Sequence, residues 1–222
     1  MCEKNGIQLL HIFEDEWVNQ KEIVKSIIKF KLGIIDTKIF AKTTIKEIDT
    51  ITCNNFLNNN NIHGAINCKI RIGLFYRNDL VSVMTFRKNQ TTITNKVGLK
   101  SEWELCRFCN KLNTEVIDGA SKLLKYFIKN YQPKSILTLV NRRYGRGDLY
   151  KQLGFKFKEY SKINYWYYPH HTYKKYHKYN FRKSLLIKQG FDPNKTELQI
   201  MKERNFLILY DCGNIKFELK LQ

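Results

Sequence analysis

Four groups of residues carry side chains or backbone able to do chemistry. The first is the junction Thr114-Glu115-Val116-Ile117-Asp118-Gly119-Ala120-Ser121, where a loop opens a helix. A helix beginning there presents free backbone N–H groups and the positive end of its dipole, which suits a phosphate. Gly119 and Ala120 are small enough for a ligand to approach closely. Asp118 also reads as an ordinary N-cap, and its charge sits where an anion would. The second group is Leu149-Tyr150-Lys151-Gln152-Leu153-Gly154-Phe155, a short helix bearing a tyrosine that turns through glycine into a strand. The third is Arg142, Arg143 and Arg146, whose planar forks suit bidentate phosphate contact better than lysines would. The fourth runs from Tyr165 and Trp166 through Lys174, Lys175, Lys178, Arg182 and Lys183. Cations there would bind phosphates and the rings would stack on exposed bases. The alternative for this stretch is a solvated basic face over core aromatics.

Other residues argue for less. Cys106 and Cys109 form the single CxxC among six cysteines, with no second pair and no spaced histidine pair to complete a zinc site. On a strand, positions i and i+3 face opposite sides, so this pair reads as buried thiols and no metal is expected. His170, His171 and His177 lack an acidic or cysteine partner at ligand spacing. Glu14-Asp15-Glu16 opens a predicted helix, where acids complement the dipole.

The elements that must position these groups follow from periodicity. Residues 7–13 read as a buried strand, then a helix runs to Gly33. Residues 38–48 read as a strand and 49–60 as a helix. Residues 68–76 and 79–87 form a hairpin signal, and 88–100 a polar loop. A strand at 102–109, a loop at 110–118, a helix at Gly119–Tyr131, a strand at Ser135–Val140, a short helix at Gly147–Leu153 and a strand from Phe155 come next. Pro193–Arg204 reads as a helix, and 206–210 with 215–219 as a closing hairpin turned by Asp211-Cys212-Gly213-Asn214. The order is mixed α/β: an antiparallel meander leading into βαβα.

Composition bounds the rest. The chain has 222 residues, a net charge of +19 and 43% hydrophobic residues. That is enough apolar material for a core, which excludes wholesale disorder. No apolar run is long enough to span a membrane and no secretory h-region stands at the start, so a cytoplasmic location is expected. The excess charge points to a polyanion, most often nucleic acid. Only 9 of the 39 basic residues are Arg, and the chain is rich in Ile and Asn, so AT-rich codons account for part of the lysine content but not for the shortage of acids.

The strand order, the 114–121 junction and the Leu149–Phe155 segment together resemble the GNAT acyltransferase superfamily across roughly 38–168. The resemblance implies a mostly antiparallel central sheet flanked by helices, an acyl-CoA such as acetyl-CoA as cofactor, its pyrophosphate at Asp118, Gly119, Ala120 and Ser121, and Tyr150 as the acid that reprotonates the CoA thiolate. A Mom-like DNA-modification branch of that superfamily carries Tyr-Ala-Asp after the fifth strand. Here the strand ends Leu139-Val140-Asn141, so Asn141 stands in place of that carboxylate.

A second likeness spans nearly the whole chain. Asn5–Trp17, Arg107–Thr114, Gly119–Leu124, Asn164–Trp166 and Tyr210–Asn214 resemble the C-terminal portion of phage-type free-standing homing endonucleases. It implies residues 1–36 as the remnant of a nuclease-type domain, 37–168 as the GNAT-like domain, and 169–222 as a basic aromatic C-terminal extension with a helix and the closing hairpin. The family's nuclease carboxylates lie upstream of the matching region. The resulting expectation is a DNA-binding protein without a nuclease centre; an acyl-CoA-dependent transferase acting on a nucleic-acid base or other amine is the alternative.

Overall fold

A computed structural model describes all residues except 1, 41, 90–101, 171, 173 and 222. The polar loop expected at 88–100 and His171 therefore lie largely or wholly outside the described residues.

A seven-stranded sheet forms the frame. Its strands are β2 (Thr44–Glu47), β3 (Ile70–Tyr76), β4 (Asp79–Lys88), β5 (Trp103–Asn110), β7 (Ser135–Asn141), β12 (Asn214–Lys220) and β8 (Lys156–Tyr160), in that spatial order. Every neighbouring pair is antiparallel except β5–β7. The β3–β4 turn is tight because Arg77 and Asn78 both adopt left-handed backbone (φ 49° and 70°), whose twist matches the flanking strands.

Alternation along β4 divides the core between the two faces. Met84 and Phe86 point to α4 (Gly119–Tyr131), meeting Leu123, Leu124 and Phe127. Phe86 and Phe127 stack with ring centroids 3.6 Å apart. Val83 points the other way, to Cys53, Phe56 and Leu57 of α3 (Thr50–Asn60). Asp49 caps α3 by accepting from the Thr52 N–H at 2.9 Å. The chain is thus a mixed α/β fold with a mostly antiparallel central sheet and helices on both faces.

Several expectations change. Residues 7–13 form no strand; they run extended into α1 (Glu14–Asn19) and α2 (Lys21–Lys31). The expected strand at 38–48 divides into β1 (Thr37–Ile39) and β2, and β1 pairs in parallel with β6 (Thr114–Val116), inside the segment read as a loop. The closing hairpin does not form. β11 (Phe206–Tyr210) pairs with β9 (Tyr165–Pro169), while β12 enters the main sheet between β7 and β8.

Residues 161–213 accordingly form an insert between two strands of the main sheet, β8 and β12. Within them β10 (Tyr176–His177), β9 and β11 make a small sheet. α6 (Lys183–Lys188) and α7 (Glu197–Glu203) close a second core of Tyr167, Leu186, Ile200 and Met201. Thr196 and Gln199 form a capping box that starts α7 at Glu197, four residues after the expected position at Pro193.

Candidate active site

The parallel pair β5–β7 holds register only over Trp103↔Ile136, Glu104↔Leu137 and Leu105↔Thr138. Beyond Leu105 and Thr138 the strands diverge, β5 staying on β4 and β7 on β12. Open α/β sheets bind ligands where neighbouring strands part at their carboxyl ends. The fork opens into a cleft of about 1100 Å³, lined along β5 by Cys106–Asn110 and along β7 by Leu139–Asn141. Past Leu105, the edge of β5 that faces β7 has no strand partner among the described residues.

Tyr150 sits at the base of the fork, on α5 (Asp148–Gln152). Its ring packs against Phe155 and Phe217. Thr138, whose hydroxyl donates to Leu105 O at 3.2 Å, lies beside it. Burial raises the Tyr150 phenol above its ordinary value, outweighing Thr138 and the Arg107 charge, so it carries its proton at neutral pH. Gly147 lets α5 come this close: its φ is +80°, and a Cβ there would lie 2.3 Å from Phe217 Cε2.

Three other units complete the walls. α2 supplies an apolar face including Ile23, Ile27 and Phe30. It is fixed to β5 through Ser26, whose hydroxyl accepts from the Asn113 N–H at 2.9 Å. The turn after α3 supplies His63, and the insert supplies Trp166, Lys175 and Lys178.

A buried ion pair locks the N-terminal unit onto this frame. Glu16 accepts from both terminal nitrogens of Arg143 (2.7 and 2.9 Å) and from the Tyr144 hydroxyl (2.8 Å). Lys175 adds contacts to Asp15 at 2.9 Å and Glu16 at 3.5 Å. Burial alone would raise the Glu16 carboxyl, but the Arg143 and backbone hydrogen bonds more than offset it and bring it to about 2. The acidic cluster does open a helix, as its position suggested, and in addition supplies the buried half of this pair.

The structure brings some expected site residues together and separates others. Tyr150, Asn141, Arg143, Trp166, Lys175 and Lys178 all line the cleft. Asn141 does so while its Oδ1 accepts from the Arg143 N–H at 3.0 Å, which fixes the turn after β7. Arg143, expected as a phosphate contact, is 4% exposed and engaged by Glu16, so its fork is not offered to a ligand. Arg142 packs over the Tyr160 ring, and Arg146 donates to Ile7 O at 3.0 Å. The 118–121 turn lies away from the cleft lining. Gly119 and Ala120 are buried behind Val116 and Leu74, and Asp118 caps nothing with its side chain. The Ile117 N–H donates to Ile39 O, so β1 runs alongside this turn. Ser121 is half-buried on the same turn.

Tyr165, expected as a stacking platform, packs on the insert's core and donates its hydroxyl to Glu197 at 3.2 Å. Lys174 lies over Tyr176 and Arg182 over Tyr179, while Lys183 is exposed at the start of α6. The cleft also contains His63, Arg107 and Tyr144, which sequence reading missed. Arg107 entered only as the first residue of the Arg107–Thr114 likeness, with no role given to it, and His63 stands alone in an Asn-rich turn.

No protein-family model matches the chain, and no curated protein matches it. Among solved structures it is similar to a Bacillus subtilis acetyltransferase in complex with CoA, at 11% identity over 82% of this chain and 100% of that one, with a TM-score of 0.46. A putative streptothricin acetyltransferase from Bacillus anthracis in complex with acetyl coenzyme A is similar at 10% identity, over 82% and 100% of the two chains, with a TM-score of 0.43. The ribosomal-protein-S18-alanine N-acetyltransferase from Escherichia coli is similar at 11% identity, over 82% and 95%, with a TM-score of 0.45.

Among the described residues, no group of three or more His, Cys, Asp or Glu is arranged to hold a metal ion. No helix among them is long and apolar enough to cross a membrane.

Proposed function

We propose that this chain is a GNAT-like acyltransferase that moves an acyl group from acyl-CoA to an amine within the β5–β7 cleft. The observation that carries this reading is the fork itself: one parallel pair in an otherwise antiparallel sheet, parting after three residues beside a half-buried, protonated Tyr150. Acyl-CoA supplies a thioester and an arm bearing two amides. The unpaired edge of β5 offers those amides a strand-like set of backbone partners, and the cleft is large enough for the arm and an acceptor together.

In the reaction the amine nitrogen attacks the thioester carbonyl, and the C–S bond breaks as the amide forms. Tyr150 gives its proton to the departing thiolate, and the proton lost by the amine restores the phenol through solvent. The pyrophosphate position that the family resemblance implies, at Asp118, Gly119, Ala120 and Ser121, stands outside the cleft lining, with Asp118 exposed and Gly119 and Ala120 buried. Lysines at the cleft, among them Lys111, Lys162 and Lys178, supply the countercharge in this reading.

A nucleic acid is the acceptor-bearing partner that the charge favours. The net charge of +19 and the insert wall of Trp166, Lys175 and Lys178 beside the cleft support this. The homing-endonuclease likeness adds no nuclease chemistry, since Asp15 and Glu16 are held by Lys175 and Arg143. DNA binding without transfer is the second reading.

Calorimetric titration of the full chain with CoA and acetyl-CoA, beside DNA binding measured at several salt concentrations, separates the two. Saturable CoA binding supports the transferase. Absence of CoA binding at millimolar concentration, together with steeply salt-dependent DNA binding, removes it and leaves the second reading.

A further inference from the structure

We propose that His63 is the base that takes the proton from the attacking nucleophile in the cleft. This assignment rests on the transferase reading above, and adds to it a residue that no motif marked.

The turn carrying His63 is built to hold it still. The His63 N–H donates to Asn61 Oδ1 at 2.9 Å, and the Gly64 N–H to Asn61 O at 2.9 Å. The Ala65 N–H donates to Asn58 Oδ1 at 2.8 Å, and Arg107 Nε reaches across from β5 to Gly64 O at 3.3 Å. Gly64 has φ +61°, and a Cβ there would stand 3.0 Å from Asn58 Oδ1, so the turn closes this tightly only with glycine. Asparagine side chains that bond their own turn are a local device for fixing backbone. What they fix here is the backbone of His63, whose imidazole lines the cleft with the Tyr144 ring edge-on at 6.0 Å.

The competing bases lining the cleft are occupied. Glu16 is held by Arg143 and Tyr144, and Glu104 by a bidentate contact to Arg87. Asp211 accepts from the backbone N–H groups of Asn164 and Gly213 at 2.7 and 2.9 Å. Burial pushes the thiols of Cys106 and Cys109 up to about 12 and keeps Tyr144 protonated. No hydrogen bond among the described residues occupies the His63 imidazole.

Its surroundings keep it neutral. Burial, then Arg107 on β5 and Arg143 after β7, push it down to about 4; Glu16 on α1 opposes them and Lys175 of the insert adds to them. A neutral imidazole is a weak base toward a free amine. It is adequate once the nitrogen or oxygen has attacked, because the adduct is far more acidic than the free nucleophile. Two functions then divide the cleft: His63 receives a proton on the acceptor side and Tyr150 donates one to sulfur.

The test uses the full chain with acetyl-CoA, following thiol release to water and to hydroxylamine, in wild type and His63→Gln. The expected result is that His63→Gln lowers thiol release to water by about 100-fold or more, leaves CoA affinity within two-fold, and costs far less with hydroxylamine, which is largely deprotonated at neutral pH. Added imidazole should restore part of the rate in His63→Ala. Normal CoA binding with an unimpaired His63→Gln, or with equal losses on both nucleophiles, overturns the assignment alone. Failure of the wild type to bind CoA overturns the transferase reading and this assignment with it.

Discussion

Arg143 and Glu16 are each 4% exposed and face one another through two hydrogen bonds, 2.7 and 2.9 Å long, across 127 residues of sequence. The pair joins α1 to the turn between β7 and α5. It thereby holds the N-terminal unit, with the apolar face of α2, against one side of the cleft. Isolated burial of either charge would be costly; Tyr144 and Lys175 add contacts to Glu16, His11 O accepts from Arg143 at 3.3 Å, and Arg143 Nε is left without a partner among the described residues.

Removing one partner should therefore cost more than removing both. Glu16→Ala and Arg143→Ala are each expected to destabilise the chain by about 3–5 kcal/mol, because each strands a buried charge. The double substitution should cost clearly less than the sum of the two. Urea unfolding of the four proteins checks this, and strict additivity would show that the two side chains act independently.

The same pair sets a pH window. Glu16 falls from an ordinary 4.5 to about 2 on folding, so the folded state binds its proton more weakly than the unfolded chain does. Its contribution is fully present above about pH 4.5 and is lost as pH falls toward 2. Stability measured between pH 5 and pH 2 should drop more steeply in wild type than in Glu16→Gln. Parallel curves for the two proteins would assign the acid sensitivity elsewhere.

Gly147→Ala should be strongly destabilising. The position needs a left-handed backbone, costing about 1–3 kcal/mol for a residue with a side chain. The new methyl would also stand 2.3 Å from the buried Phe217 ring. Thermal unfolding reads the loss. A variant as stable as wild type would mean that α5 can move off Phe217, and Tyr150 with it.

Tyr150→Phe should retain CoA binding and lower the transfer rate by about 10²–10⁴, because the thiolate then leaves without its proton donor. Calorimetry and thiol release, run on the same preparation, check the two halves. An unchanged rate would exclude the phenol as the acid.

The exposed cations of the insert should govern affinity for nucleic acid rather than its sequence preference. Lys174→Ala and Arg182→Ala are each expected to lower the slope of log affinity against log salt by about one. Arg143→Ala should leave that slope unchanged, since its guanidinium faces Glu16. A lower slope for Arg143→Ala would show that this buried fork opens toward phosphate on binding.

Local chemistry was legible in the sequence where the determinants are near neighbours. The helix Gly119–Tyr131 has the expected bounds because its apolar spacing is continuous and it ends before Pro133. The β3–β4 hairpin falls within two residues of its expected position, set by alternation and a short polar turn. The short helix bearing Tyr150 and its turn through Gly154 into β8 follow a local pattern in the same way.

What the tertiary structure alone decided are the relations between distant segments. Residues 206–210 and 214–220 each read as strands, and the turn between them suits a hairpin, yet they belong to different sheets. Turn chemistry specifies a reversal, whereas the partner is chosen by whichever edge buries the apolar face, here β9 for one strand and the β7–β8 gap for the other. The charge of Arg143 was visible, but its burial against Glu16 was not. His63 was a lone residue in an asparagine run until β5, β7 and the insert surrounded it. Composition and periodicity determined that this chain folds as a basic, mixed α/β protein. Which ionisable groups are paired, and which of them line the cleft, is fixed by long-range packing, because burial and electrostatic pairing depend on distance in space rather than along the chain.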